Sequence, residues 1–198
     1  MIKSICTGIV CSLLATTVFA GERISTVDKN YKEPAPAPEL CFGDHELQID
    51  IFGQYTVGEG PSHAGPIRDH GWGGGIGINY FFTRNIGLGV DAAWLYAKDH
   101  SLGDDDDDHT TIHNFSASLI ARFPIDEKCI APYLYVGGGA AIDGEQWASA
   151  HGGVGVEFRV QPQKMGVFVD GRWTYYGDRF GHEDLNNFSG RVGVRFIF

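Results

Sequence analysis

Long apolar runs are missing from most of this chain. Beyond residue 20 no stretch approaches the roughly 20 consecutive apolar residues that a membrane-crossing helix needs, so spanning helices are excluded, although a spanning barrel is not. Basic residues are scarce: 15 Lys and Arg stand against 25 Asp and Glu, a formal charge of −10 at pH 7. Phosphate binding needs clustered Lys and Arg, so nucleic acid is excluded as a partner. Methionine occurs twice and cysteine four times, with Cys6 and Cys11 both in the first twenty residues. What remains is 43% hydrophobic and 13% aromatic with 28 glycines, too apolar for a disordered chain, and 198 residues suit one domain.

Residues 1–20 have the layout of a cleavable export signal. Lys3 supplies a basic start, Ile5 to Leu14 an apolar stretch, and Ala20 a small residue before the cut at Gly21. A lipoprotein signal would need a longer apolar core before Cys6 or Cys11. Export places the mature chain in an oxidising compartment. Residues 21–44 are polar and include Pro34-Ala35-Pro36-Ala37-Pro38, a run that favours an extended polyproline spacer.

From residue 45 to 198 the hydrophobic period is 2, the signature of strands. Leu47, Ile49, Ile51 and Tyr55 alternate with Glu46, Gln48, Asp50 and Gln54; Trp72, Ile76, Ile78 and Tyr80 alternate with a glycine series. Leu88, Val90 and Trp94 oppose Gly87, Gly89 and Asp91, and Phe115, Leu119 and Phe123 oppose Ser116, Ser118 and Arg122. In Pro132 to Ile142 the facing is ambiguous between Leu134, Val136 and Ala140 on one side and Tyr133, Tyr135 and Gly137 on the other. Val154, Val156 and Phe158 oppose Glu157 and Arg159; Val167, Val169 and Trp173 oppose Asp170 and Arg172; Val192, Val194, Phe196 and Phe198 oppose Arg191, Gly193 and Arg195.

These eight strands are joined by connections of alternating length. Short turns are expected at 83–85, 124–128 and 161–164, and long connections at 58–70, 98–111, 143–150 and 177–187. That alternation predicts an all-β, eight-stranded antiparallel up-and-down barrel with one short-turn rim.

Two barrels share this pattern, a soluble one that is apolar inside and a transmembrane one that is apolar outside. The polar face decides between them. It carries Glu46, Asp50, Asp91, Glu157 and Asp170 against Arg122, Arg159, Arg172, Arg191 and Arg195, a neutral set without a single Lys in an acidic chain. Arg suits buried carboxylate pairs because its planar fork binds two oxygens at once. A closed polar interior and a lipid-facing apolar exterior follow. Trp72, Trp94, Trp173, Tyr96, Tyr175 and Phe188 then form one interfacial belt, and Phe82, Phe123, Phe196 and Phe198 the other.

The last strand ends Arg191-Val192-Gly193-Val194-Arg195-Phe196-Ile197-Phe198. With Arg191, Gly193, Phe196 and the terminal Phe198 in place, it resembles the insertion signal of bacterial outer-membrane proteins, and residues 45–198 resemble the small eight-stranded barrels of the OmpA and OmpX type. The resemblance implies assembly by the outer-membrane insertion machinery and a monomer among outer-membrane lipids and lipopolysaccharide. It also implies a side-chain-filled barrel with a structural or surface-interaction role. A narrow porin-like channel and a lipid A-modifying enzyme are the alternatives.

After signal removal Cys41 and Cys129 remain, both at the short-turn end by this topology, and a disulfide between them is expected. His45 belongs to the same rim. His63, His70, His100, His109, His113, His151 and His182 are expected in or beside the long connections, with Asp104 to Asp108, Asp178, Glu183 and Asp184. His100, Asp104, Asp106, His109 and His182 are candidate ligands for a divalent cation. No spacing there matches a zinc helix or a calcium loop, so a solvated acidic surface is the preferred reading. No cofactor motif is present: Gly73 to Gly75 and Gly137 to Gly139 lie in strands, where glycine relieves crowding. The nearest catalytic pair, His113 and Ser116, is three residues apart and so points to opposite faces of a strand.

Overall fold

The computed structural model describes residues 40–59, 70–98, 109–143, 145–179 and 182–198. The alternating segments form eight strands: β1 (Glu46–Glu59), β2 (His70–Phe81), β3 (Ile86–Lys98), β4 (His109–Arg122), β5 (Ile130–Asp143), β6 (Glu145–Gln161), β7 (Met165–Arg179) and β8 (His182–Ile197). Each pairs antiparallel with its sequence neighbour, and β8 pairs with β1 to close the barrel. Closure leaves no strand edge, which is what a bilayer without hydrogen-bonding partners demands. The seam is completed by Leu47 and Phe198, whose backbones exchange hydrogen bonds of 3.2 and 2.9 Å.

The alternation sorts residues by face. Val192 is 64% exposed on the outer surface, whereas Arg191 and Arg195 on the same strand are buried inside. Leu88, Val90, Val136, Val154 and Val169 likewise look outward. The ambiguous segment resolves with Leu134 and Val136 outside and Tyr133 and Tyr135 buried inside. Large interior side chains fit because neighbouring positions lack a side chain. A Cβ on Gly155 would lie 2.6 Å from the Tyr133 ring, and one on Gly193 would lie 2.7 Å from Phe168 and 2.5 Å from the Ile51 carbonyl. The glycine of the C-terminal motif is therefore a packing requirement of the finished barrel.

The short turns fall as expected, with one turn of 3₁₀ helix at Asp126–Lys128. Two of the long connections do not. β5 and β6 pair as far as Asp143↔Glu145, and β7 and β8 as far as Arg179↔His182, so 143–150 and 177–187 are mostly strand. The glycines at 152–153 and the acids at 183–184 break the hydrophobic pattern without ending the ladder, whose hydrogen bonds belong to the backbone. Residues 60–69 and 99–108, the middles of the other two long connections, lie outside the described residues.

Candidate functional site

The interior is the candidate site, and alternation builds it. Each strand contributes every second side chain, so Glu46, Gln48 and Asp50 of β1 share the lumen with Arg122 of β4 and Glu157 and Arg159 of β6, and with Arg191 and Arg195 of the adjacent β8. The ten expected ionisable residues fall into two layers, each neutral in itself.

The layer near the short-turn rim joins Glu46, Asp50 and Glu157 to Arg122, Arg159 and Arg195. Glu46 accepts from Arg122 Nη1 at 2.8 Å and Arg159 Nη2 at 2.5 Å. Arg195 grips Asp50 with Nε and Nη2, both at 2.7 Å, and reaches Glu157 with Nη1 at 2.6 Å. Arg159 Nε sits 2.5 Å from Glu157 Oε1, close enough for ion pairing although its N–H is not aimed at that oxygen. Gln48 donates to Glu46 at 2.5 Å, and Asn79 to Asp50 at 2.8 Å.

The second layer joins Asp91 and Asp170 to Arg172 and Arg191. Arg191 binds Asp170 bidentately at 2.7 and 2.8 Å, and Arg172 binds Asp91 at 3.1 and 2.8 Å. Tyr133 and Tyr135 hydroxyls donate to Asp170 at 2.8 and 3.0 Å. Arg172 also donates to Ser116 Oγ at 3.2 Å, whereas His113 is exposed on the outer face, so the two residues do not meet.

Aromatic rings complete the coordination of the guanidinium groups. Arg122 lies 3.8 Å from the Phe81 centroid, Arg195 4.8 Å from Phe168, Arg191 5.0 Å from Phe52, and Arg172 5.3 Å from Tyr135. Phe52, Phe81 and Phe168 are not evident from the hydrophobic pattern, although each has the parity of an interior polar residue: Phe52 follows Asp50 by two, Phe81 follows Asn79 by two, and Phe168 precedes Asp170 by two. A weakly hydrated planar cation accepts such stacking, and burial strengthens it.

His151, expected in or beside a long connection, is a β6 residue whose side chain lies inside the barrel. It is buried, with Nε2 2.8 Å from Ser118 Oγ, and a Cβ on Gly137 would lie 2.9 Å from that nitrogen. Its odd-numbered parity with Glu157 and Arg159 was the available signal. Two cavities of about 30 Å³ each flank the second layer, one lined by Asn79, Asp91 and Arg195, the other by Gln54, Thr174 and Asn187. Each has room for about one or two waters.

The short-turn mouth is closed by residues 40–44, the end of the polar stretch that precedes β1. Cys41 and Cys129 form a disulfide with Cα atoms 5.4 Å apart, within the usual reach of such a bond. Next to Cys41, Phe42 is 0% exposed and packs between Arg122 and Arg159. On the same rim Arg84 pairs with Asp126, and the Arg84 backbone N–H donates to Asp44 at 2.6 Å.

Of the candidate metal ligands, His100, Asp104 and Asp106 lie outside the described residues. His109 begins β4 opposite Lys98, and His182 begins β8 opposite Arg179. Among the described residues no three metal-ligating side chains gather. The C-terminal motif divides by face, with Arg191 inside and Phe196 and Phe198 on the outer surface of the short-turn rim.

No curated protein sequence matches the chain. Solved structures do. Neisserial surface protein A is 16% identical over 77% of this chain and 97% of its own, with a TM-score of 0.62. The N-terminal β-barrel domain of Pseudomonas aeruginosa OprF is 19% identical over 79% and 99%, at 0.54, and the attachment invasion locus protein Ail of Yersinia pestis is 14% identical over 78% and 99%, at 0.52. At these identities the likeness is one of fold. The model of the family described as "Outer membrane protein beta-barrel domain" matches residues 46–198. With a closed eight-stranded barrel, an apolar exterior and that match, the chain belongs to the outer-membrane β-barrel family and resides in the outer membrane.

Proposed function

We propose that this protein is a non-conducting, non-enzymatic barrel that serves the outer membrane as a structural or surface-interaction element. The observation that carries the reading is the double layer of ion pairs across the lumen, flanked by cavities of about 30 Å³. Ions that must shed most of their water to pass buried, already paired charges meet a high barrier. Residues 1–20 act as the export signal in this reading, and the Pro-rich stretch within 21–44 as a periplasmic leader. The barrel works as a monomer, inserted by the outer-membrane machinery through the Arg191-to-Phe198 motif. Its aromatic belts sit at the two interfaces, the outer one against lipopolysaccharide.

Ail has been crystallised with the heparin analogue sucrose octasulfate. Polyanion contact of that kind asks for exposed cations. The connections of this chain at the opposite end from the short turns carry Asp104 to Asp108 and few basic residues, so its surface partner is of another type. Single-channel recording in planar bilayers tests the reading. Purified protein should give no stable current steps, and reproducible unitary conductance would establish the channel instead.

A further inference from the structure

Residues 40–45 precede β1 and take no part in the ladder, yet they stop the periplasmic mouth. The stopper is the Phe42 ring, fully buried, 4.9 Å from the Arg122 guanidinium and 4.6 Å from that of Arg159. Besides the 2.6 Å bond that Asp44 accepts from the Arg84 N–H, three longer hydrogen bonds hold the backbone of this segment. Gly43 N donates to Glu46 Oε2 at 3.2 Å, Arg122 Nη2 to the Gly43 carbonyl at 3.4 Å, and Gln163 Nε2 to the Leu40 carbonyl at 3.4 Å. The covalent anchor is the disulfide to Cys129, which stands between the 3₁₀ turn and β5. Both hinge residues, His45 at φ 55° and Cys129 at φ 51°, occupy the left-handed region that non-glycine residues seldom adopt.

What lies under the stopper is polar and incompletely bonded. Gln48 Oε1 and Arg159 Nη1 have no hydrogen-bond partner among the protein groups, and Arg159 Nε meets Glu157 Oε1 only as an ion pair at 2.5 Å. Buried polar atoms in that condition favour hydration. Phe42 therefore covers groups that gain by meeting water, and its attachment to Cys129 opposes that exchange.

We propose that the Cys41–Cys129 bond is a redox latch that keeps Phe42 seated, and that its reduction opens a hydrated, charged vestibule at the periplasmic mouth. The reductant is a dithiol of the periplasm. One of its thiolates attacks Sγ of Cys129, the less buried of the two cysteine residues. The S–S bond breaks and Cys41 leaves as a thiolate, which takes up a proton. The second thiol of the reductant then attacks the mixed disulfide and releases Cys129, so the protein gains two electrons and two protons while the reductant becomes a disulfide. The barrel stays closed throughout, because the Leu47–Phe198 seam does not involve the clasp. The Asp91–Arg172 and Asp170–Arg191 layer keeps the vestibule from becoming a pore.

Hydroxyl-radical footprinting of the full-length protein in lipid nanodiscs tests this, with and without a phosphine reductant and with alkylation to verify that both thiols are free. Phe42 labelling should rise about tenfold or more on reduction, as expected of a locally opened segment, while Phe52 and Phe168 stay protected. The Cys41→Ser/Cys129→Ser variant should show the raised labelling without reductant. Unchanged Phe42 labelling with both thiols alkylated, or in the double variant, would overturn the latch. So would a parallel rise at Phe52 and Phe168, which would mean that the whole barrel had opened. Should the double variant fail to fold, the reduced native chain decides.

Discussion

Replacing Arg195 by Met removes one base from a layer of three acids and three bases. Asp50 loses both of its 2.7 Å bonds and keeps Asn79; Glu157 loses its 2.6 Å bond and keeps Arg159. Breaking one side of a buried ion pair costs about 3–5 kcal/mol. Loss of stacking on Phe168 and Tyr133 adds about 1 kcal/mol, and the methionine stem recovers part of the packing. The expected net loss is about 4 kcal/mol. The second variant, Arg195→Met with Asp50→Leu, restores neutrality, leaving Glu46 and Glu157 against Arg122 and Arg159. It leaves Asn79 short of a partner at a cost of about 1 kcal/mol, so it should fall within about 2 kcal/mol of the native protein. Equilibrium urea unfolding in lipid vesicles, read by tryptophan fluorescence and by heat-modifiable gel mobility, measures both. A double variant as unstable as the single, or a single variant within about 1 kcal/mol of native, would refute the neutrality of the layers as the stabilising principle.

Three further outcomes follow from the same geometry. Gly193→Val should lower stability by about 1–3 kcal/mol or prevent folding, since its Cβ meets Phe168 and the Ile51 carbonyl, whereas Gly190→Ala should change it by less than about 0.5 kcal/mol because nothing lies within 4 Å of the added carbon; urea midpoints compare them. Val192→Arg, on the lipid-facing side of β8, should cost about 2–4 kcal/mol in bilayers, read from the same unfolding curves. Raising sodium chloride from about 0.05 to about 1 M should leave the unfolding midpoint of the native protein nearly unchanged, because buried pairs are little screened; a marked drop would mean that the pairs are solvated.

The strands and their sidedness were legible because two physical rules act on every residue of them. Period 2 follows from the pleat, and a closed interior admits Arg with carboxylates but no Lys, so Arg122, Arg159, Arg172, Arg191 and Arg195 mark the inner face. Phe52, Phe81 and Phe168 were hidden by the opposite rule. An aromatic residue reads as lipid-facing by chemistry, and parity alone shows that it points in. His151 was lost because Gly152 and Gly153 interrupt the hydrophobic series, which made a continuing strand look like a loop. Phe42 was hidden for another reason. Its burial depends on a covalent link to a residue 88 positions away and on two guanidiniums from other strands, and no local pattern encodes that meeting.

The most direct test of the account is which face of the sheet touches lipid. In nanodiscs, nuclear Overhauser contacts should connect the methyl groups of Leu88, Val136 and Val192 to acyl-chain protons, and the side-chain protons of Arg191 and Arg195 to the rings of Tyr135, Phe52 and Phe168. Methyl groups of Val136 and Val192 in contact with Phe52 or Phe168, with the arginine guanidiniums exchanging freely with water, would contradict it.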